Sequence, residues 1–401
     1  MFDFFDIIIL GDSVKKYIIF LLIIFIIPIN IFSINIKSEH AILYNLNDNQ
    51  ILYEVKANER VQIASMTKIM TAIVALEKIK DIDSKVIMTN DMFYRLIEEN
   101  ASVAGFKVGE EVTYEDLLYG LMLPSGADAA QALAISTYGS IDNFVDAMNK
   151  KAKDLNLKNT KFSNPAGFDS TDNYSSVFDV SIILKYSLKN YNFKEVFTAD
   201  KYTTSNKQHT FLSTRVKSNF DSSFLDGSKT GFTYDAGLCL ASIAHHNNVN
   251  YLLVTAKAPY NNRLNHLIDA KEIYSYYFNN YDEITILNRD DKIVTLNIKD
   301  KYTIDYYMNE DIKKYIKKDC TITKEYIGKE NIDDVVLNDK VGDYIVKCDG
   351  EEIYSKDIYL VIDNTKIKKN NNYFTIVIVV LTISIFLAFI TLLFIKLRRR
   401  K

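Results

Sequence analysis

Ser65 stands three residues before Lys68 in "VQIASMTKIMTAIVALEKI", residues 61–79, which puts a hydroxyl and an amine one helical turn apart. That pair is the minimum for nucleophilic catalysis: an amine held neutral takes the hydroxyl proton and frees the oxygen to attack a carbonyl. The spacing alone is weak evidence, because Ser13 and Lys16 repeat it near the N-terminus. The surroundings say more. On a helical wheel Ser65, Ile69, Ala72, Ile73 and Leu76 form the apolar side, and Thr67, Thr71, Glu77 and Lys78 are expected away from it. Lys68 is bordered by Ala64, Ala72, Ala75 and Ile79 and has no acid four residues before or after it, so it faces the buried edge without an ion-pair partner. Burial disfavours the ammonium form and makes the amine usable as a base. The competing reading is a helix N-cap followed by a lysine that lays its stem over the alanines and reaches water. On this helix alone both readings stay open.

Two distant stretches carry further candidates. "PSGAD", Pro124 to Asp128, places Ser125 in a tight turn between two helices, where its hydroxyl either faces a cleft or caps the second helix. "SKTGFT", Ser228 to Thr233, puts Lys229 and Thr230 on a strand, with Gly231 where a missing side chain lets another backbone lie close. Its plain alternative is an edge strand with a solvated lysine.

The elements that must position these groups follow from pattern. Residues 40–55 hold two β-rich runs around Asn47-Asp48-Asn49, a hairpin signature. Residues 113–157 read as helical, with Thr113 as N-cap, Glu115 and Asp116 in the first turn and a break at Pro124 and Ser125. From 226 to 258 the pattern is β: "DGSKTGFT", "AGLCLASIA", the turn "HHNNVN" and "YLLVTAKA". A helix over 261–280 closes this domain. Strands first, helices between and strands last predict one mixed sheet assembled from both ends, covered by helices.

In this order and at these separations the three stretches resemble the Ser-x-x-Lys, Ser-x-Asn and Lys-Thr-Gly motifs of the penicillin-recognising serine hydrolases. "ASMTKIMTA", "LLYGLMLPSGADAA", "FVDAMNKKAKDLNL", "TKFSNPAGF" and "DGSKTGFTYDAGLCLASIA" look like the low-molecular-mass penicillin-binding proteins that are D-alanyl-D-alanine carboxypeptidases. The resemblance implies an α/β (α+β mixed) β-lactamase/transpeptidase-like domain with a central antiparallel sheet, a small all-β domain and a C-terminal membrane helix. It implies removal of the terminal D-alanine from peptidoglycan stem pentapeptides, with β-lactams as acylating inhibitors and no cofactor.

Carried over residue by residue, Ser65 is the nucleophile, Lys68 its base and Ser125 the relay to the leaving group. Lys229 supplies positive potential in the cleft, the hydroxyl of Thr230 holds the substrate carboxylate, Gly231 completes that substrate-binding motif, and the N–H groups of Ser65 and Phe232 form an oxyanion hole. Arg263 stands where the family often has a carboxylate-binding arginine. Two positions depart from the pattern. Ala127 replaces the asparagine of the second motif, which predicts slower turnover, and Asn173 stands where the family often has a histidine, to which no catalytic role attaches. A β-lactamase is the runner-up, although "KDLNL" at 153–157 lacks the glutamate of the class A deacylation loop. A binder that recognises the peptide without cleaving it is the reading from another class.

The ends bear on location. Lys15 and Lys16 precede an apolar run from Tyr17 to Phe32, the layout of an export signal or N-terminal anchor over 1–34. Tyr373 to Ile395 carries no charge and would span about 34 Å as a helix, long enough for a bilayer core. The tail "KLRRRK", 396–401, puts the C-terminus in the cytoplasm and the catalytic domain, 35–280, on the outer face of the cell membrane. Between them lie a β domain at 281–363 and a polar linker at 364–372. At 401 residues, 48% apolar and 25% charged, the chain has the composition of a globular protein, and its net charge of −3 gives no field for nucleic acid. The five histidines show no ligand spacing, so no metal is expected. Of the three cysteines, Cys320 and Cys348 could bridge in an oxidising compartment, but free thiols are the preferred expectation.

Overall fold

The computed structural model describes residues 34–299, 302–334, 336–361 and 367–369, with scattered positions between 382 and 390. The described residues fall into two compact units, one running to His245 and resuming over Asn250–Tyr276, the other comprising His246–Val249 and residues from Tyr277 onward.

In the first unit the hairpin forms where its turn residues place it. Strands β1 (His40–Asn45) and β2 (Gln50–Val55) are joined through Asn49, whose φ of 60° suits asparagine, and Gln50 N donates to Asp48 Oδ1 at 3.1 Å. Helix α1 (Thr67–Lys78) follows. Helix α2 (Tyr114–Met122) starts at a reciprocal cap: Asp116 N donates to Thr113 Oγ1 at 3.1 Å and Thr113 N to Asp116 Oδ2 at 2.9 Å. After the break at Ser125 come α3 (Ala127–Tyr138), α4 (Ile141–Asp154) and α5 (Val177–Ser187). Strands β3 (Gly227–Thr233), β4 (Gly237–His246) and β5 (Val249–Ala258) precede helix α6 (Asn265–Asn280).

The sheet runs β2-β1-β5-β4-β3, so its first and last segments pair, with Ala41 opposite Thr255. Strand β3 is the outer strand and meets β4 with Gly231 opposite Cys239. Helix α1 packs against all of α2 to α5, so that Thr67 and Thr71, away from the apolar side of the wheel, are fully buried as well. A wheel finds the more apolar side, but a central helix has neighbours on both sides, and Thr71 is accommodated because its hydroxyl donates to Pro165 O at 2.6 Å.

The second unit is built from strands: β6 (Tyr281–Leu287) with β9 (Ile312–Lys317), β7 (Lys292–Ile298) with β8 (Tyr302–Tyr307), and β10 (Ile322–Gly328), β11 (Lys340–Cys348) and β12 (Glu351–Tyr359) in a three-stranded sheet. Leu287, Leu296, Val346 and Leu360 fill its core. Cys320 and Cys348 form a disulfide, against the expectation of free thiols. The register explains it. Ile322 pairs with Cys348, so Cys320 lies just past the strand end with its Cα 5.6 Å from that of Cys348, and this separation suits a bridge.

The apolar stretches at 17–32 and 373–395 lie outside the described residues apart from scattered helical positions between Thr382 and Ile390. Among the described residues no helix is long and apolar enough to cross a membrane.

Candidate active site

Ala64 adopts φ 45°, in the left-handed region that non-glycine residues seldom occupy, and turns the chain into a 3₁₀ segment, Ala64–Met66, that delivers Ser65 just ahead of α1. Ser65 is half-buried and lines a cleft of about 500 Å³. Its Oγ lies 3.0 Å from Lys68 Nζ. Lys68 is only 2% exposed, and its second acceptor is Ala166 O at 2.5 Å. Burial pulls its pKa down to about 7, with the charge of Asp128 acting weakly in the other direction.

The carbonyl that holds Lys68 belongs to a loop organised by one side chain. Asn164 Oδ1 accepts from the N–H groups of Ala166 at 3.2 Å, Gly167 at 2.7 Å and Phe168 at 3.0 Å. Asn173, buried, binds both ends of the loop: its Oδ1 accepts from Ser163 N and its Nδ2 donates to Phe168 O, each at 3.3 Å. Gly167 has φ 87°, and a Cβ on it would sit 2.1 Å from Ala64 O. The loop therefore presses against the nucleophile turn with no room for any other residue.

Ser125, at φ 65°, occupies the turn between α2 and α3 and accepts from Lys229 Nζ at 2.8 Å. Lys229 sits on the outer strand, as its plain reading had it, but is fully buried rather than solvated and also donates to Thr230 O at 2.8 Å. Its pKa falls well below the usual lysine value, first through burial and then through the charge of Lys68. The charge on Lys68 thus disfavours a second charge on Lys229 in the same wall. Asp128, the acid beside them, is fully buried and bound up elsewhere, accepting from Ala104 N at 2.7 Å, Gly105 N at 2.9 Å and Phe106 N at 3.3 Å.

Gly231 brings β3 against the nucleophile turn, since a Cβ there would lie 3.0 Å from Ser65 N. Thr230 Oγ1 donates to Thr214 Oγ1 at 2.8 Å, and both line the cleft. Phe232, 44% exposed, forms part of the rim with Tyr234 and Tyr260, the three ring centroids 5.5–5.6 Å apart.

Ser65, Lys68, Ser125, Lys229, Thr230, Gly231 and Phe232 thus converge on one cleft from three separate stretches. Arg263 does not join them. It is exposed in the turn before α6 and does not line the cleft, because Asn265 Nδ2 binds Pro259 O at 2.6 Å and Asn261 Oδ1 at 2.9 Å and folds that turn back on itself. His266, three residues on, lines the cleft instead. The residues that sequence reasoning missed are the supports: Asn164, Asn173 and Asp128. Asn-Pro at 164–165 is a turn signal, but nothing local announces that the carbonyl of Ala166 just after it would face Lys68.

The family described as D-alanyl-D-alanine carboxypeptidase matches residues 29–259. The chain is 31% identical over 329 residues to the D-alanyl-D-alanine carboxypeptidase DacF of Bacillus subtilis, covering 79% of this chain and 82% of that protein. Among solved structures, the Streptomyces K15 DD-transpeptidase superposes with a TM-score of 0.56 at 31% identity, over 60% of this chain and 97% of that one. The carboxypeptidase DacD of Francisella tularensis superposes over 84% of this chain and 95% of that one, with a TM-score of 0.64; at 20% identity it shares the fold alone.

Proposed function

The chain belongs to the D-alanyl-D-alanine carboxypeptidase family, and on that premise we propose the residues through which it acts. It is a serine D-Ala-D-Ala carboxypeptidase that releases the terminal D-alanine of peptidoglycan stem pentapeptides and is acylated by penicillins. Ser65 Oγ attacks the carbonyl between the two D-alanines while Lys68 Nζ takes its proton. The N–H groups of Ser65 and of Phe232 on the outer strand receive the oxyanion. The C–N bond then breaks, and the departing D-alanine amine collects the proton that Lys68 took, relayed through Ser125, which Lys229 holds in place, so that Lys68 is neutral again. Water, deprotonated by the same Lys68, hydrolyses the ester at Ser65 and returns the proton to the oxygen. The hydroxyl of Thr230, which donates to Thr214 Oγ1 in the free enzyme, turns to the substrate's terminal carboxylate.

The observation that carries this reading is the 3.0 Å approach of Ser65 Oγ to a buried lysine with a pKa of about 7, half neutral at the pH of its work. Fluorescent penicillin tests it: wild type labels and Ser65→Ala does not, with the adduct placed on Ser65 by mass spectrometry. An unlabelled wild type overturns it.

The same reading places the catalytic unit outside the cytoplasm, anchored by residues 373–395. What supports it is the uncharged stretch followed by "KLRRRK", together with the Cys320–Cys348 disulfide, a bond of oxidising compartments. Fractionation of cells, with and without truncation at 372, decides it.

A further inference from the structure

His266 belongs to the cleft in a way that no step above uses. It lies in the first turn of α6, is 7% exposed, and lines the same cleft as Ser65 and Thr230. Its Nδ1 is buried without a hydrogen-bond partner. The acid nearest in its own helix, Asp269, is committed elsewhere: it accepts from Lys37 N at 2.9 Å, Ser38 N at 2.7 Å and Ser38 Oγ at 2.6 Å. Both lysines of the site are also committed, Lys68 to Ser65 and Ala166, and Lys229 to Ser125 and Thr230. The carboxylates lining the cleft, Glu99 and Asp169, repel that of a substrate rather than bind it. A substrate's terminal carboxylate thus meets, among the polar side chains of the cleft, an imidazole whose Nδ1 no protein group holds.

We propose that His266 is a substrate-binding residue, donating from Nε2 to the terminal carboxylate beside Thr230. The inference rests on the carboxypeptidase reading. Burial pushes the ring's pKa down to about 4, so it works as a neutral imidazole, and an acceptor left bare at the buried Nδ1 puts the proton on Nε2. Recognition therefore comes from a hydrogen bond rather than from a fixed cation, and glutamine, which also offers a neutral N–H, can replace it.

The test compares two ligands of the full-length enzyme. One is a diacetyl-L-Lys-D-Ala-D-Ala peptide, which ends in a carboxylate. The other is an acyl-D-alanine boronic acid, which bonds the serine but has no carboxylate. His266→Ala is expected to lower kcat/KM for the peptide about tenfold, the range of one hydrogen bond to a charged group, while the boronate inhibition constant stays within about twofold. His266→Gln restores most of the peptide activity. Equal losses for both ligands assign His266 a structural role and overturn the proposal, as does a His266→Ala enzyme unchanged on the peptide. A wild type that neither releases alanine nor takes up penicillin sinks the carboxypeptidase reading itself, and this inference with it.

Discussion

Lys229 Nζ donates to Ser125 Oγ at 2.8 Å, across 104 residues of sequence, inside a wall where Lys229 has no contact with solvent. The bond occupies one lone pair of the hydroxyl and so orients Ser125 for the relay assigned to it. If the two side chains act as a unit, removing either should cost about as much as removing both. Ser125→Ala and Lys229→Ala are each expected to slow penicillin acylation by about 10²–10³-fold, typical of a lost proton relay, with the double variant no worse than about threefold below the singles. Stopped-flow acylation rates check it; additive losses would mean the two serve separate steps.

The pH dependence of acylation follows from Lys68. The base must be neutral, and burial has brought its pKa to about 7, so acylation should fall about tenfold per pH unit below 7 and level off above it. Asp128 supplies a charge that favours the ammonium form. Asp128→Asn removes that charge, so the limb should move to lower pH. The same change weakens acceptance from Ala104, Gly105 and Phe106, and the melting temperature should drop with it. A limb that stays in place shows that Lys68 is not the titrating base.

Gly231→Ala tests the closeness of β3 to the nucleophile. The new methyl would stand 3.0 Å from Ser65 N, tighter than ordinary contacts, and would push the strand away from the N–H group assigned to the oxyanion hole. Acylation should fall by at least about 10²-fold while the protein still folds, because β3 is an outer strand free to shift. Gly167→Ala, whose Cβ would meet Ala64 O at 2.1 Å, should instead impair folding itself. Circular dichroism beside acylation rates separates the two.

What was legible in the chain and what was not divides along physical lines. The Asn47–Asn49 hairpin and the Thr113 cap are decided within four residues, by turn chemistry and orphan N–H groups, and both formed where those rules put them. The inward face of Lys68 could be read from its alanine border. The burial of Thr67 and Thr71 could not, since it depends on what packs on the far side of α1. The Cys320–Cys348 bridge depends on strand register, and that His266 lines the cleft while Arg263 does not depends on a turn folded by Asn265. Long-range geometry of this kind leaves no local trace.

The disulfide closes a loop with a sequence separation of 28 residues between Cys320 and Cys348. Constraint of the unfolded chain by a loop of that size is worth about 3–4 kcal/mol. Cys320→Ser with Cys348→Ser should therefore lower the melting temperature of the β unit, and acylation of Ser65 at 25 °C should persist. Calorimetry with and without reductant measures the first expectation. A wild type indifferent to reductant and a double variant of equal stability would show that the thiols are not paired in solution.

Ala127 poses the remaining question about turnover. It is the first residue of α3, 1% exposed, and its N–H donates to Ser102 O at 2.8 Å. Ser102 and Ser125 line the cleft, whereas Ala127 itself does not. An asparagine there must reach the cleft from a buried position for its amide to bond the substrate backbone. Ala127→Asn is expected to raise kcat/KM for D-Ala-D-Ala peptides about fivefold or more, the worth of one added hydrogen bond in a desolvated site. It should also lower stability by about 1–3 kcal/mol, because it crowds a filled core. Steady-state alanine release and thermal unfolding measured on the same preparation separate these effects. A stability loss without a rate gain would mean that the wall containing Ser102 and Ser125 already supplies what an asparagine would offer, and that the alanine is matched to its surroundings rather than a defect in them.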